Sequence, residues 1–170
     1  MTHATIVSIN VNPHGGVPKT AVSAAVLGTN GVAGDKQRNL RFHGGPTRAV
    51  CLYSLEQITA LQDEGHPIEP GTTGENLTIS GLDWNALSIG TQLRVGAAVI
   101  EITAYAAPCS NIAGSFVDGA FTRISQKTSP GWSRVYASVI VSAEVRVGDV
   151  VTLVAPAVAA ETATTATTGS

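Results

Sequence analysis

Charged and aromatic residues are scarce in this chain of 170 residues. Asp, Glu, Lys and Arg together make up 13% of it, aromatic residues make up 5%, and the formal net charge at pH 7 is -2. The chain has no basic run, which argues against nucleic acid or an anionic membrane surface as its main partner. No apolar stretch is long enough to cross a bilayer, so we expect no membrane partner.

Cysteine is also rare. Cys51 and Cys109 are the two cysteines of the chain, and they are too far apart for a CxxC motif. This excludes a disulfide-rich scaffold and favours a reducing compartment. Residues 1–5 lack the charged and then apolar pattern of a signal peptide. We therefore expect a cytoplasmic protein.

Apolar residues, glycine and proline are plentiful. The chain is 44% hydrophobic and contains 18 glycines and 8 prolines. Its length suits one domain with a substantial core, and frequent turns between short alternating runs are typical of a barrel or sandwich. Alternating or apolar runs predict strands in seven segments: 4–11, 21–27, 49–53, 93–95, 97–105, 132–141 and 150–154.

One helix is predicted, near residues 54–65. Ser54 and Gln57 have the spacing of a capping box. Apolar residues then repeat at helical spacing as far as Gly65, which is typical of a helix C-terminus. The fold class predicted from these patterns is mainly β with few helices.

The candidate chemistry centres on Cys109, which follows an alternating run at residues 99–105. Pro108 ends that strand because proline cannot donate to a sheet ladder. Residues 110–116 can begin a short helical turn, whose unpaired N–H groups favour the thiolate, the reactive and metal-binding form of cysteine. The alternative is a buried structural thiol. Cys51 lies inside an apolar run and is interpreted as core packing.

A second cluster surrounds a pair of glycines. Gly44 and Gly45 let the backbone approach a ligand closely, and His43 and Arg48 flank them. His43 is a candidate general acid or base, or a hydrogen-bond donor to a ligand. A histidine that merely caps a turn is the alternative.

Two further glycine-rich segments are candidates for ligand contacts. Gly74 frees the backbone beside Glu75 and Asn76, whose side chains either orient a ligand or cap strand ends. The loop at residues 28–36 has three glycines and can direct N–H groups at an anion. Its spacing matches neither a P-loop nor a dinucleotide fingerprint, so an ordinary loop stays open as the alternative.

Taken in chain order, these clusters resemble the MOSC domain, which is named for the C-terminal part of molybdenum-cofactor sulfurases. Among its members the chain is most similar to the small stand-alone bacterial proteins. The resemblance extends over residues 6–153. It rests on Val17-Pro18-Lys19, Gly34-Asp35-Lys36-Gln37, His43-Gly44-Gly45-Pro46-Thr47-Arg48-Ala49-Val50, Gly74-Glu75-Asn76-Leu77-Thr78, Pro108-Cys109, Gly131-Trp132-Ser133-Arg134-Val135 and Gly148-Asp149.

The resemblance implies a MOSC-type β-barrel over residues 1–154. Residues 155–170 are Ala/Thr-rich, and we expect them to be disordered. The resemblance also implies that Cys109 either ligates the metal of a molybdenum–molybdopterin cofactor or carries activated sulfur, since a thiolate is a soft donor. It implies Cys109 and His43 as catalytic residues. The implied cofactor-binding residues are Lys36, Gly44, Gly45, Arg48, Glu75, Asn76, Asn111 and Arg134.

Three functions follow from the resemblance and the clusters. The first is a molybdenum-dependent oxidoreductase that reduces a small N-hydroxylated compound with electrons from a partner protein. The second is a sulfur carrier in which Cys109 accepts a persulfide from a cysteine desulfurase. The third is a non-catalytic barrel that binds an anionic small molecule and in which Cys109 is incidental.

Overall fold

A computed structural model describes residues 3–36 and 45–155. Within these ranges α1, Leu55–Asp63, is the one α-helix, and it is accompanied by short 3₁₀ helices. The strands are β1 Ala4–Val11, β2 Thr20–Val22, β3 Ala24–Gly28, β4 Gly31–Val32, β5 Val50–Ser54, β6 Leu77–Ser80, β7 Gln92–Val95, β8 Ala98–Tyr105, β9 Val135–Val141, β10 Ala143–Arg146 and β11 Val150–Leu153. The 3₁₀ helices are Pro46–Arg48, Trp84–Ala86, Ser110–Ser115, Val117–Gly119 and Phe121–Ile124.

The described strands form a closed barrel. Following the hydrogen-bonded neighbours gives β1, β11, β7, β8, β9, β5, β6 and again β1. In addition, β2 pairs with residues 9–11 at the C-terminal end of β1. Only β5 and β6 run parallel within that ring, because α1 lies in the connection that carries the chain back between them. A separate small sheet has the order β10-β3-β4. The prediction of a mainly β barrel is confirmed.

Strand alternation places the hydrophobic core inside the barrel. In β8, Ala98, Ile100 and Ile102 are buried, whereas Val99 and Glu101 between them are half-buried. A fully buried aliphatic side chain stabilises the fold by about 1.5–3 kcal/mol. The alternation that predicted this strand therefore reflects one face packed in the core.

Two predicted strands differ from the structure by more than one residue at an end. The segment predicted as one strand at 21–27 is broken at Ser23, because β2 pairs with β1 while β3 joins β10 in the other sheet. The strand predicted from residue 132 begins at Val135. The Ser133 hydroxyl there donates to the Arg134 carbonyl oxygen at 2.7 Å and lies 3.2 Å from the Ala106 carbonyl oxygen, so this segment is held by a side-chain contact before the strand begins.

The predicted helix is confirmed. The Ser54 hydroxyl caps its N-terminus by accepting a hydrogen bond from the Gln57 N–H at 3.2 Å. Ile58 and Leu61 are buried on its inner face. In residues 3–36 and 45–155, no helix combines the length and the apolar character that a membrane crossing requires.

In the loop that leads into β6, position 71 requires glycine because the backbone of Lys19 lies close to it. Gly71 has a φ of +86°, and a Cβ atom there would lie 2.6 Å from the Lys19 carbonyl oxygen. The Gly71 carbonyl in turn accepts a hydrogen bond from the Lys19 N–H at 2.9 Å. This close approach fixes the loop after β1 against the loop before β6.

Gly71→Ala is expected to destabilise the protein more than Gly65→Ala. Both glycines have positive φ, but nothing lies within 4 Å of a Cβ placed at Gly65. Gly65→Ala should therefore cost only the backbone strain, about 1–2 kcal/mol. Gly71→Ala adds steric overlap, which costs a further ~1–3 kcal/mol. Chemical denaturation measures both free energies of unfolding, and equal losses would show that the contact with Lys19 is unimportant.

Candidate functional site

A cleft of about 300 Å³ lies among the loops that follow β1, α1 and β8. Its volume is at the low end of the range for small-molecule sites. Its lining residues are Gly16, Val17, Lys19, Lys36, Cys51, Thr73, Gly74, Asn76, Ala107, Cys109, Asn111, Ile112, Arg134 and Tyr136.

Cys109 lines this cleft from the segment that follows β8. The last inter-strand bond runs from the Ala106 N–H to the Arg134 carbonyl at 2.9 Å. Cys109 then has extended dihedral angles and forms the N-cap of the 3₁₀ helix Ser110–Ser115. The helical turn expected there is thus present, but the Cys109 side chain makes no capping hydrogen bond. The thiol is half-buried, so a reagent or ligand in the cleft can reach it.

Arg134 brings a buried positive charge to the same cleft. The residue is 6% exposed, and its Nη1 donates to the Thr73 carbonyl oxygen. Its Nε is buried and has no hydrogen-bond partner in the described part of the chain. A buried charged donor without an acceptor costs free energy. The guanidinium is therefore suited to an acceptor atom supplied by a ligand.

A buried polar network supports the floor of the cleft. The Asp35 carboxylate accepts hydrogen bonds from Lys19 Nζ at 2.5 Å, the Asn12 N–H at 2.8 Å and Asn76 Nδ2 at 2.9 Å. Asn76 Oδ1 accepts from the Cys51 N–H at 3.0 Å. Asn76 is fully buried, so its amide supports the cleft from below, whereas the network holds the Lys19 ammonium in the lining.

Cys51 is the second thiol of the cleft, and its surroundings differ from those of Cys109. It is 4% exposed and lies opposite Tyr136 in the β5–β9 ladder. Burial raises the pKa of the Cys51 thiol to about 11, although the nearby Arg134 charge opposes the shift. Cys51 is therefore protonated and unreactive at neutral pH. Its burial agrees with the core-packing interpretation, but the residue also lines the cleft.

Five of the residues proposed from sequence lie together in the cleft lining: Lys36, Asn76, Cys109, Asn111 and Arg134. Gly45 and Arg48 do not line it. The Cζ atom of Arg48 lies 5.2 Å from the ring centre of Tyr136, so Arg48 packs against a lining residue of the cleft. His43 and Gly44 lie outside the described residues.

Glu75 lies beneath the cleft and is fully buried. Its Oε1 accepts hydrogen bonds from the Gly71 N–H at 2.6 Å and from Thr78 Oγ1 at 3.2 Å. Its Oε2 accepts from Thr73 Oγ1 at 2.7 Å. The Glu75 carboxylate therefore accepts three hydrogen bonds, and these bonds stabilise the loop before β6.

Nine cleft residues were not singled out as site residues from sequence, and three of them have titratable side chains: Lys19, Cys51 and Tyr136. Lys19 belongs to the first cluster of the family resemblance, but nothing local distinguishes it from a surface lysine. The strand predicted at 132–141 would place Tyr136 on the same face as Arg134, and this i, i+2 relation is the sequence signal that indicates it.

Comparison with known proteins identifies the family. The MOSC domain profile matches residues 39–152. YflK of Bacillus subtilis, an uncharacterised protein, is 30% identical over 131 residues, which cover 76% of this chain and 58% of YflK. YiiM of Escherichia coli is 29% identical over 107 residues, which cover 60% of this chain and 48% of that protein. The chain thus spans about half the length of these curated relatives.

Solved structures agree with this fold. The crystal structure of YiiM from Geobacillus stearothermophilus matches 92% of this chain and 78% of its own with a TM-score of 0.69 and 25% identity. The match to the crystal structure of YiiM from Escherichia coli covers 92% of this chain and 71% of the YiiM chain, with a TM-score of 0.68 and 23% identity. At this level of identity the similarity supports only the fold. The profile match and the barrel lead to one conclusion: the chain belongs to the MOSC domain family.

Proposed function

We propose that this MOSC domain binds a molybdenum–molybdopterin cofactor in its cleft and reduces small N-hydroxylated compounds with electrons from a partner protein. In this proposal the Cys109 thiolate is a ligand of the metal. MOSC domains as a class are associated with the molybdenum cofactor. The observation that carries the proposal is that a half-buried thiol and an unpaired guanidinium nitrogen belong to the lining of one cleft.

The donor set suits a metal that brings most of its own ligands. In residues 3–36 and 45–155, no group of three or more His, Cys, Asp or Glu side chains can hold a metal ion. A bare ion would therefore lack ligands at this site. A metal held by the sulfur atoms of a pterin needs only one soft protein donor, and a thiolate such as that of Cys109 is such a donor.

The cations of the cleft suit the phosphate of such a cofactor. Arg134 offers a planar guanidinium whose Nε has no partner among the described residues, and guanidinium groups bind phosphate oxygens with paired hydrogen bonds. Lys36 is exposed at the cleft. Lys19 is held in place by Asp35. These three residues would hold the anionic end of the cofactor.

The cofactor, when bound, supplies the redox chemistry of the reaction. The residues of the chain bind it, orient the substrate and limit access of water. His43 stays a predicted proton donor, and Arg48 and Gly45 stay predicted cofactor contacts. Asn111 is exposed in the lining beside Cys109 and can donate to either molecule.

The two thiols should differ sharply in their reaction with iodoacetamide at neutral pH. Cys109 is half-buried at the cleft, whereas Cys51 is buried and its pKa is raised to about 11. The thiolate is the nucleophile, so native protein should gain one adduct, and Cys109→Ser should gain none. Intact-mass spectrometry counts the adducts. Alkylation of Cys51 in native Cys109→Ser would contradict this assignment.

Molybdenum content should depend on Cys109 and not on Cys51. Protein purified from a host that makes the cofactor should contain molybdenum in the wild type and in Cys51→Ser, but Cys109→Ser should lose most of it. Cys51→Ser is the matched control because it replaces the other thiol of the same cleft. Elemental analysis measures the metal, and thermal melts check folding. Folded wild-type protein without molybdenum would refute the proposed function.

A sulfur carrier is the second candidate. Among the described residues Cys109 is half-buried and the other cysteine, Cys51, is buried, so Cys109 has no accessible cysteine with which to form a disulfide. A carrier needs such an isolated thiol. After incubation with a cysteine desulfurase and free cysteine, a carrier would gain the mass of one sulfur atom, and Cys109→Ser would not. A protein that binds anions but is unaffected by Cys109→Ala in every assay would instead be a simple binding barrel.

A further inference from the structure

His66 joins the end of α1 to the segment that follows Cys109. It lies shortly after Asp63, the last residue of α1, and its ring Nδ1 accepts a hydrogen bond from the Val117 N–H at 3.0 Å. The same ring packs edge-on against the Phe116 ring, with the two ring centres 5.3 Å apart. Phe116 is buried in the hydrophobic core, so a backbone donor and an aromatic contact together fix the position of the imidazole.

An ion pair makes a second connection beside His66. Glu64, the C-cap residue of α1, accepts two hydrogen bonds from Arg123: Nε donates to Oε2 at 3.0 Å, and Nη2 donates to Oε1 at 2.7 Å. His66 Nε2 lies 3.5 Å from the same Oε2 atom. The Arg123 guanidinium also lies over the Trp132 ring, with Cζ 4.1 Å from the ring centre. The Glu64 carboxylate is thus shared between a permanent cation and a histidine.

The segment held by these contacts carries part of the cleft. It comprises residues 110–124, begins directly after Cys109 and contains three short 3₁₀ helices. Asn111 and Ile112 of its first helix line the cleft together with Cys109. Asp118, whose φ is +55°, interrupts the helical backbone of the segment. Because 3₁₀ helices have weaker internal hydrogen bonds than α-helices, we expect the position of this segment to depend on its contacts with the end of α1.

Protonation of His66 would remove the acceptor on which the Val117 contact depends. A neutral imidazole has one N–H group and one acceptor nitrogen, and the Val117 bond requires the acceptor at Nδ1. An imidazolium has N–H groups at both positions, so its Nδ1–H would face the Val117 N–H and repel it. The added positive charge is also attracted to the Glu64 carboxylate. Histidine side chains ordinarily change charge between about pH 5 and 8.

The charged groups on the elements around His66 belong to both sides of the contact. They are Asp63 and Glu64 at the end of α1, the exposed Asp118 beside Val117, and Arg123 in the helix Phe121–Ile124. Hydrogen bonds from Arg123 lower the pKa of the Glu64 carboxyl. Glu64 therefore stays ionised where histidine titrates, and a change of the contact in that pH range comes from His66 rather than from its carboxylate partner.

We propose that neutral His66 holds residues 110–124 against the end of α1, and that protonated His66 releases them and increases access to Cys109. The segment is held at high pH, where Nδ1 accepts the Val117 bond, and it loosens as the pH falls and that acceptor is lost. Cys109 is affected because its backbone continues directly into the segment. The inference goes beyond the proposed function, since it concerns access to the thiol whether that thiol binds a metal or carries sulfur.

The rate at which Cys109 reacts with dithiodipyridine tests this access. Wild type and His66→Asn are compared at about pH 8 and about pH 5, and mass spectrometry of the peptide that contains Cys109 gives each rate. The Asn side chain offers an acceptor oxygen but does not titrate. The ratio of the two rates cancels the pH dependence of the thiol and the reagent. It should be close to unity at the higher pH and about two- to tenfold at the lower, the effect of one lost hydrogen bond.

His3→Asn is the matched control for this comparison. His3 is exposed and directly precedes β1, so its replacement removes another titrating imidazole without touching the contact with Val117. His3→Asn should react like the wild type at both pH values. The same pH dependence in wild type and His66→Asn would overturn the inference, and so would a His3→Asn protein that behaves like His66→Asn.

Hydrogen–deuterium exchange measures the segment itself. After correction for the intrinsic pH dependence of exchange, peptides from residues 110–124 of the wild type should lose protection between about pH 8 and about pH 5. Peptides from β8 should not. His66→Ala, which has no acceptor, should show the loss already at the higher pH. Wild type that stays protected at the lower pH while His66→Ala is unprotected would overturn the inference, as would His66→Ala that is as protected as the wild type at the higher pH. Neither experiment needs molybdenum, so the inference and the proposed function can fail separately.

Discussion

The Asn76 side chain joins segments of the chain that are far apart in sequence. Its Oδ1 accepts from the Cys51 N–H in β5, and its Nδ2 donates to the Asn10 carbonyl in β1 and to Asp35. Asp35 in turn holds Lys19. Each such bond contributes about 0.5–1.5 kcal/mol, and a buried partner left unpaired costs about 1–3 kcal/mol. This network therefore fixes the relative positions of the loops that surround the cleft.

Two cysteines line this cleft and differ in burial. Cys51 belongs to a central strand, where burial keeps its thiol protonated. Cys109 lies beyond the end of β8, after Pro108, where the chain has left the ladder and its side chain has no capping bond. The difference in position along a strand explains why Cys51 is buried and Cys109 is only half-buried.

Local patterns in the sequence were sufficient for most of the fold. The alternation of apolar and polar residues predicted β8, and the spacing of Ser54 and Gln57 predicted α1, because both signals depend on neighbours within a few residues. Closure of the barrel through the pairing of β1 with β11 joins Ala4 to Val151, and no local pattern predicts such a distant contact. The break at Ser23 has the same origin, since each half of the predicted strand joins a different sheet.

The site was less predictable than the fold. Glu75 and Asn76 are adjacent and both are fully buried. Sequence alone could not indicate that the Asn76 amide connects β1, β5 and Asp35 while the Glu75 carboxylate binds donors within its own loop. Tyr136 and Lys19 reach the cleft only because β9 and the loop after β1 come together in three dimensions. Cys109 was indicated by its place after a strand and a proline, which is a local signal.

X-ray absorption spectroscopy at the molybdenum edge tests the central claim most directly. The sample is protein isolated from a host that makes the cofactor, compared with any residual metal in Cys109→Ser. Ligation by Cys109 predicts one more sulfur neighbour of molybdenum in the wild type than in the variant. The same number of sulfur neighbours in both proteins would contradict it.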